Sequence, residues 1–447
     1  TAVAVLVLFF MEYVKPLGKP FNVYMTVLAF IATMLFTDIL FWTKRVSVKR
    51  IVIFLMAVTV STELVYNAKL IMTLDGGVEH FTQYAEDEMK LIGQLQQQDG
   101  GFYRINQTST RDVDGNKLTA NYNEGIAYNY KSISGYTSDP DRNQLLFMKQ
   151  MGYAICGDVM NVVNTSVLGA DSILGVKYVL SSYDIPGLKK LENIEPGNGK
   201  SVYYNPYALP VAFTYESSNM LPDSEEKDEF LYQNQLFSYL SGQNVQVNKR
   251  IEAEPKADSN TVGYDVKHMD DPVYGYFNMK DKDGGKVYVD DQYVTLYNTW
   301  LCPRVVYIPQ QPDAPSTHVH IDGDNMENRV ESACFYYTDL NELEKVTQKI
   351  QDRREDGLLI QDGSITGTVK NPQNLDRLYL SVPYDKGWSV KVNGKKIKPE
   401  LVGNCMMSLP LENGENTIEM RYHVPGLKAG ICRSSCMGGY MVEGKKK

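Results

Sequence analysis

The sequence predicts membrane α-helices followed by an extracytoplasmic α/β domain and β-sandwich modules. Three observations carry this expectation. Apolar runs lie near the N-terminus, four positive charges crowd between two of them, and mixed helix–strand patterns give way to strand-rich patterns after about residue 243. At 447 residues the chain exceeds what one core normally serves, so several domains are expected.

Residues 1–14, TAVAVLVLFFMEYV, are too short to span and read as the last part of a helix. Residues 21–42 read as a full span: at 1.5 Å per residue such a helix covers roughly 33 Å, against a hydrocarbon core of about 30 Å. Residues 51–72 read as another, less apolar toward its end. No basic region or cleavage site precedes the first run, so it does not read as a signal peptide. The chain is expected to begin inside a multispanning membrane domain. Lys44, Arg45, Lys49 and Arg50 crowd residues 43–50, whereas the preceding connection holds only Lys15 and Lys19. The positive-inside rule then keeps 43–50 in the cytoplasm and puts everything after about residue 73 on the other side. Glu63 falls within the last span. A carboxylate there is costly, which makes it an intramembrane candidate for function, unless its place near the outer boundary lets it meet headgroups or protein.

Residues 79–220 alternate helix and strand patterns and predict an α/β domain. EHFTQYAEDEMKLIGQLQQQ (79–98) reads as a helix stopped by Gly100 and Gly101, and FYRI (102–105) starts a strand. A helix follows Pro140, DSILGVKYVLSS runs from helix into strand, and SVYYNP and LPVAFTYES are strands. DEFLYQNQLFSYLSG (228–242) is a further helix. Residues 243–337 predict a β-sandwich module, with YGYFNMKDKDGGKVYVD (274–290) expected as a hairpin turning at Asp283-Gly284-Gly285. A linking helix is expected over 338–356, capped by Asp339, with Leu340, Leu343, Val346 and Ile350 on one face. Residues 357–424 predict a C-terminal β-sandwich: Leu378, Leu380 and Val382 alternate, as do Trp388, Val390 and Val392, and Asn393-Gly394 is a strong hairpin signal. Residues 431–447 form an atypical tail, short, polar and glycine-rich.

A net charge of −9 argues against nucleic acid as a partner. Tyrosine is abundant, 31 residues against 15 Phe and 3 Trp, which suits wet β-surfaces and sugar contacts and equally suits strands. Six scattered cysteines, Cys432 and Cys436 of the tail among them, form no C-x-x-C pair and argue against a disulfide framework or structural zinc. DVDGNK (112–117) opens like a calcium loop, but Lys117 and Asn123 hold the positions that need glycine and glutamate, so it reads as a turn. His318, His320 and Asp322 share one side of a strand and read as a solvated face rather than a metal site. No G-x-S-x-G elbow and no glycine-rich phosphate loop is present. Trp388 shares a face with Val390 and Val392, so core packing stands beside sugar contact as its reading.

FYRI (102–105), YNYKSISGYTS (128–138), ILGVKYVL (173–180), VYYNPYALPVAF (202–213), SVPYDKGWSVKVNGKK (381–396) and RYHVPGLKAG (421–430) occur in an order, behind membrane helices, that resembles the YfhO family of bacterial membrane proteins. The resemblance implies the C-terminal part of a GT-C-like glycosyltransferase. Such an enzyme moves a sugar from a polyprenyl-phosphate donor, outside the bacterial cell membrane, to a cell-envelope glycopolymer such as teichoic acid. It also implies that the acidic catalytic residue lies in an N-terminal half beyond this chain, so no catalytic residue is assigned here and the chain alone is expected to be inactive. A final membrane helix expected after GLKAG is replaced by the polar tail. Arg104, Asn123, Tyr136, Ser138 and Asp139 carry polar tips in the matching segments and are candidates to border the acceptor or sugar-phosphate cleft, with turn and strand-edge bonding as their structural alternative. No cofactor is evident, although a divalent metal would suit the departing phosphate in the full-length enzyme. Two other classes fit the same sequence: a non-catalytic envelope polysaccharide-binding protein, and a flippase of lipid-linked sugars.

Overall fold

The computed structural model describes residues 20–74, 78–108, 123–135, 137, 140–153, 155–156, 159–160, 165–217, 221–223, 225–281, 284–297 and 304–427. The expected partial span at 1–14, the turn at 112–117 and the tail at 431–447 lie outside them. The chain divides into two units, residues 1–86 and 87–447.

The first unit holds helices α1 (Pro20–Trp42) and α2 (Val46–Leu74), which pack against each other. Among the described residues one stretch, Val46–Lys69, is long and apolar enough to cross a membrane, and Ala29–Trp42 is a shorter apolar run. The hydroxyls of Thr33, Thr37, Thr59 and Thr62 each donate to the carbonyl one turn back, which satisfies their O–H groups within their own helices. Lys44, Arg45, Lys49 and Arg50 are all exposed around the α1–α2 connection.

The second unit begins within α3 (Val78–Gln98). Its first layer is a mixed sheet of four strands, ordered β1 (Arg104–Gln107), β4 (Val176–Ser181), β6 (Ser201–Tyr204) and β5 (Lys189–Lys190), with β1 parallel to β4. Two-residue strands β2 (Ile155–Cys156) and β3 (Val159–Met160) pair apart from it. Leu91, Ile92 and Leu95 of α3 pack on Ile105, Leu180 and Val202 of this sheet. Short helices α4 (Glu124–Ala127) and α6 (Leu168–Ile173) flank α5 (Arg142–Gln150) in sequence. Asp141, not Pro140, opens α5, because its carboxylate accepts from the Asn143 and Gln144 amides. α7 (Glu229–Ser241) is capped by Asp228 and stopped by Gly242 at φ 70°, a left-handed position that suits glycine.

Two sandwiches follow. The middle one pairs a five-stranded sheet, β13 (Gln292–Tyr297), β12 (Gly285–Val289), β15 (Ser316–Asp322), β10 (Thr261–Lys267) and β9 (Pro255–Ala257), with a four-stranded one, β14 (Val306–Ile308), β11 (Val273–Met279), β16 (Val330–Thr338) and β8 (Asn248–Ile251). The expected 274–290 hairpin is therefore not formed. β11 bonds to β14 and β16, and β12 to β13 and β15, so the two strands belong to different sheets. The hairpin that forms is β12–β13, turned by Asp290 and Asp291, both at positive φ as a two-residue turn of this hand requires. A short helix α8 (Met326–Arg329) precedes β16. Helix α9 (Leu340–Gln351) is capped by Asp339 as read, and buries Leu343, Val346 and Ile350.

The C-terminal sandwich pairs β17 (Leu358–Gln361), β18 (Ser364–Val369), β24 (Asn416–Tyr422), β20 (Trp388–Val392) and β21 (Lys395–Ile397) with β22 (Glu400–Val402), β23 (Met406–Pro410), β19 (Arg377–Pro383) and β7 (Ala212–Tyr215). β7 comes from the segment read as α/β, and it completes this sheet from far away in sequence. Asn393 and Gly394, at φ 50° and 75°, make the expected β20–β21 turn.

The four-stranded sheet of each sandwich is buried on two faces. Val273, Phe277 and Phe335 fill the middle sandwich, while Tyr274, Tyr276 and Tyr336 on the other face enter a central core with Phe230, Leu236 and Phe237. Leu378 and Leu380 fill the C-terminal sandwich, while Tyr215 and Tyr379 face the same central core. Many tyrosines are thus interior. Tyr336 donates to Asp228 at 2.6 Å, Tyr274 accepts the Leu168 amide at 3.1 Å, and Tyr215 meets Ser408 at 2.8 Å.

Candidate functional site: a cleft between the α/β layer and the C-terminal sandwich

A cleft of about 580 Å³ lies between the loop 123–135 and the β17–β18 hairpin, within the size range of small-ligand sites. The loop is tied down along its length. Asn123 and Asn129 adopt positive φ, which asparagine tolerates. The Ile105 amide donates to the Lys131 carbonyl, Ser132 bridges Ile105, and Gln96 of α3 reaches the Asn129 carbonyl. A side chain at Gly125 would meet the Tyr130 carbonyl at 2.8 Å and Ser132 at 2.9 Å, so this turn needs glycine for space.

The opposite wall turns at Asp362-Gly363, with Gly363 at φ 71°. Trp388 and Val382 continue it. Trp388 is half-buried. One edge packs beside the sandwich core and against Tyr422 at 5.4 Å, T-shaped, and the remainder lines the cleft. The core-packing reading of this residue therefore holds for part of the ring. Lys131 and Asp362 join the two walls by an ion pair at 2.6 Å, largely exposed.

Arg104 and Asn123 also line this cleft. The Arg104 guanidinium donates to the Leu174 carbonyl at 2.6 Å, to the Ser381 hydroxyl at 2.9 Å and to the Ser381 carbonyl. It fastens β1 to β19, and burial pulls its pKa down to about 10. Tyr136, Ser138 and Asp139 lie outside the described residues. Glu63 sits half-buried on α2, in the other unit, where Asn67 one turn on donates to its carboxylate.

Sequence reasoning missed a buried chain behind the cleft. Tyr130, on the cleft surface, is bonded to Glu124. Glu124 accepts from Gln107 at 3.0 Å, Gln107 accepts from Lys200 at 3.3 Å, and Lys200 pairs with Glu88 at 2.9 Å. Lys200 and Glu88 are both fully buried. Burial raises the Glu88 carboxyl, opposed by Lys200. Its partners are too distant in sequence for spacing to reveal. A second buried acid, Asp171, accepts from Ser166 at 2.5 Å, Asn106 at 2.9 Å and Tyr153. Burial pushes it up to about 7, against the pull of these three donors.

The one described carboxylate lining the cleft, Asp362, is held by Lys131. The described surface offers an aromatic edge, amides and hydroxyls. Among the described residues no group of three or more His, Cys, Asp or Glu is placed to hold a metal. His318 pairs with Asp265 at 2.8 Å and His320 stacks on Tyr288, both on the outer face of the middle sandwich.

Among the described residues, one helix long and apolar enough to cross a membrane precedes an α/β layer and two sandwiches in the chain. The chain belongs to the YfhO family: the family model described as bacterial membrane protein YfhO matches residues 1–434. A relative from Bacillus subtilis (strain 168), an uncharacterized protein YfhO, is 25% identical over 223 residues, which is 48% of this chain and 24% of that protein. The chain thus matches about a quarter of the length of this curated relative. Among solved structures, a Paenibacillus cycloisomaltooligosaccharide glucanotransferase complexed with cycloisomaltoheptaose aligns at a TM-score of 0.14 and 8% identity, over 38% of this chain and 44% of that one. The CUB1-EGF-CUB2 domain of human MASP-1/3 aligns at 0.15 and 11%, over 40% and 95%. Scores this low support no structural argument.

Proposed function

We propose that this chain is the C-terminal part of an integral-membrane glycosyltransferase. In this reading the parent moves a sugar from a polyprenyl-phosphate donor to a cell-envelope polymer such as teichoic acid, and residues after about 73 are extracytoplasmic. A multi-pass membrane domain precedes them, and the catalytic acid belongs to that domain. The cleft beside Trp388 receives sugar units of the acceptor. The observation that carries the reading is this cleft, in a chain of a bacterial membrane protein family: an aromatic edge on one wall and an amide-rich loop on the other. Arg104 acts by holding the two walls together, while Asn123 and Trp388 face the ligand. Tyr136, Ser138 and Asp139 remain candidates on the sequence alone, and Glu63 remains the intramembrane candidate.

One observation favours a second reading, a non-catalytic polysaccharide-binding protein: the one described carboxylate at the cleft surface is neutralised by Lys131. The two separate in cells. Deleting the parent gene should remove a sugar from the envelope polymer, and the full-length Trp388→Ala variant should lower that modification. Unchanged envelope composition with lost polysaccharide adhesion would overturn the enzyme reading in favour of the binder.

A further inference from the structure

Two cations meet on one side of the cleft. Ile105 of β1 bridges Ser132 in parallel, and the Ile105 amide donates to the Lys131 carbonyl at 2.8 Å. This register sets Arg104 beside Lys131, with backbones about 4.8 Å apart, on the side opposite Ile105. Ile105 is fully buried in the α/β core, and both cations line the cleft. Like charges so placed repel.

The lining supplies one described carboxylate for these two charges. Asp362 holds Lys131 at 2.6 Å, and both partners are exposed. Among the described residues Arg104 has no such partner. Its acceptors, the Leu174 and Ser381 carbonyls and the Ser381 hydroxyl, are neutral, so it keeps its positive charge. The guanidinium lies 5.7 Å from the centre of the Phe102 ring, a contact that adds no counter-charge. Its three bonds use three of its five N–H groups, and the Nε–H and one Nη2–H meet no acceptor among the described residues. A cation drawn out of water is costly until an anion reaches it, and guanidinium N–H pairs match phosphate oxygens. Trp388 lines the same cleft, so a sugar or polyol on that phosphate has an aromatic surface to lie against.

We propose that Arg104 reads the ligand's charge: it takes a phosphate ester whose sugar or polyol lies toward Trp388, and Lys131 leaves Asp362 to join the same phosphate. This rests on the reading of the cleft as a sugar site and adds to it where the negative charge is held. An exposed ion pair is weak, so the exchange at Lys131 costs little. In that reading the phosphate belongs either to the polymer acceptor or to the lipid-linked donor. Calorimetric titration of the full chain in detergent tests it, with glucose 1-phosphate, glycerol 3-phosphate and farnesyl phosphate against uncharged glucose and glycerol. The phosphates of glucose and glycerol should bind about tenfold or more tightly than their parents, and the gain should shrink as salt rises. Glycerol 3-phosphate ahead of farnesyl phosphate supports the acceptor as the source, and the reverse order supports the donor. Asp362→Asn, at an exposed turn, should tighten phosphate binding about two- to fivefold, because it frees Lys131 and removes the carboxylate. Arg104→Met should abolish the preference for phosphate, with circular dichroism to check its fold; the salt dependence and Asp362→Asn stand without that variant. Glucose and glycerol binding as tightly as their phosphates, or a preference retained in folded Arg104→Met, would overturn the anion site and leave the sugar reading standing. Unchanged or weaker phosphate binding in Asp362→Asn would overturn the exchange at Lys131. Glucose 1-phosphate binding that Trp388→Ala leaves unchanged would overturn the sugar reading and leave the anion site standing. Binding of none of the five probes would overturn both.

Discussion

The two sandwiches look alike in strand number yet are built differently. The middle one draws its strands from one continuous stretch, Asn248 to Thr338. The C-terminal one is incomplete without β7, which enters from the α/β segment, and Arg104 of β1 is bonded to Ser381 of the neighbouring β19. The middle sandwich is a module set against the central core. The C-terminal sandwich is welded to the α/β layer, and the candidate cleft opens beside that weld. A site made by two walls needs their separation fixed to well under an ångström for selectivity, and shared strands with buried polar ties supply that better than a linker does.

This contrast can be broken at several points. Phe335→Ala empties space in the middle sandwich and should cost about 3–5 kcal/mol. Denaturant titration should show that loss, with ligand affinity at the cleft unchanged. Leu380→Ala, in the shared sheet, should cost about 2–5 kcal/mol and also weaken cleft binding, because its strand carries the ties to Arg104. Equal effects on binding from both variants would erase the distinction. Arg104→Met leaves the Ser381 and Leu174 carbonyls without their donor. It should cost about 1.5–3 kcal/mol, the range for a hydrogen bond to a charged group, with accelerated proteolysis between the two walls as the readout.

Asp171 sharpens the comparison through pH. Its folded pKa of about 7 lies above its ordinary value of 3.8, so the folded state binds a proton that the unfolded state releases. The stabilisation is complete below the ordinary value and is lost as pH rises toward 7, at up to about 1.4 kcal/mol per pH unit. Asp171→Asn should flatten melting temperature against pH across that window, and a wild-type slope retained in the variant would contradict this. The smallest effect should come from Lys131→Ala. An exposed ion pair is worth about 0.2–1 kcal/mol, so stability should barely move while the cleft opens more readily to ligand.

Local chemistry was legible in the sequence. Asp339 and its apolar helix face, the helix from Glu229 to Ser241 with its glycine stop, and the Asn393-Gly394 turn all stand where spacing puts them. Pairing between distant strands was not, because alternation says which face is buried and not which strand lies alongside. The 274–290 hairpin failed for that reason: both strands were real and their partners lay elsewhere. Asp290-Asp291 was a readable turn signal passed over in favour of a glycine pair. Asp362-Gly363, which shapes one wall of the cleft, was equally readable. The tyrosines misled because composition cannot tell a wet surface from a core that bonds its hydroxyls. Of the candidate site, Arg104, Asn123 and Trp388 meet at one cleft, whereas Glu88 and Lys200, over a hundred positions apart, give no local signal.

The donated strand β7 also sets a timetable. About 160 residues separate Tyr215 from its partner Arg377. At ribosomal speeds of roughly 5–20 residues per second, the edge of β7 waits on the order of ten to thirty seconds for β19 to be made. For that interval a short, apolar strand is without its neighbour. Biogenesis of this protein therefore includes a stage in which β7 is made but has no strand to pair with, and slowed synthesis of the segment up to β19 lengthens the exposure.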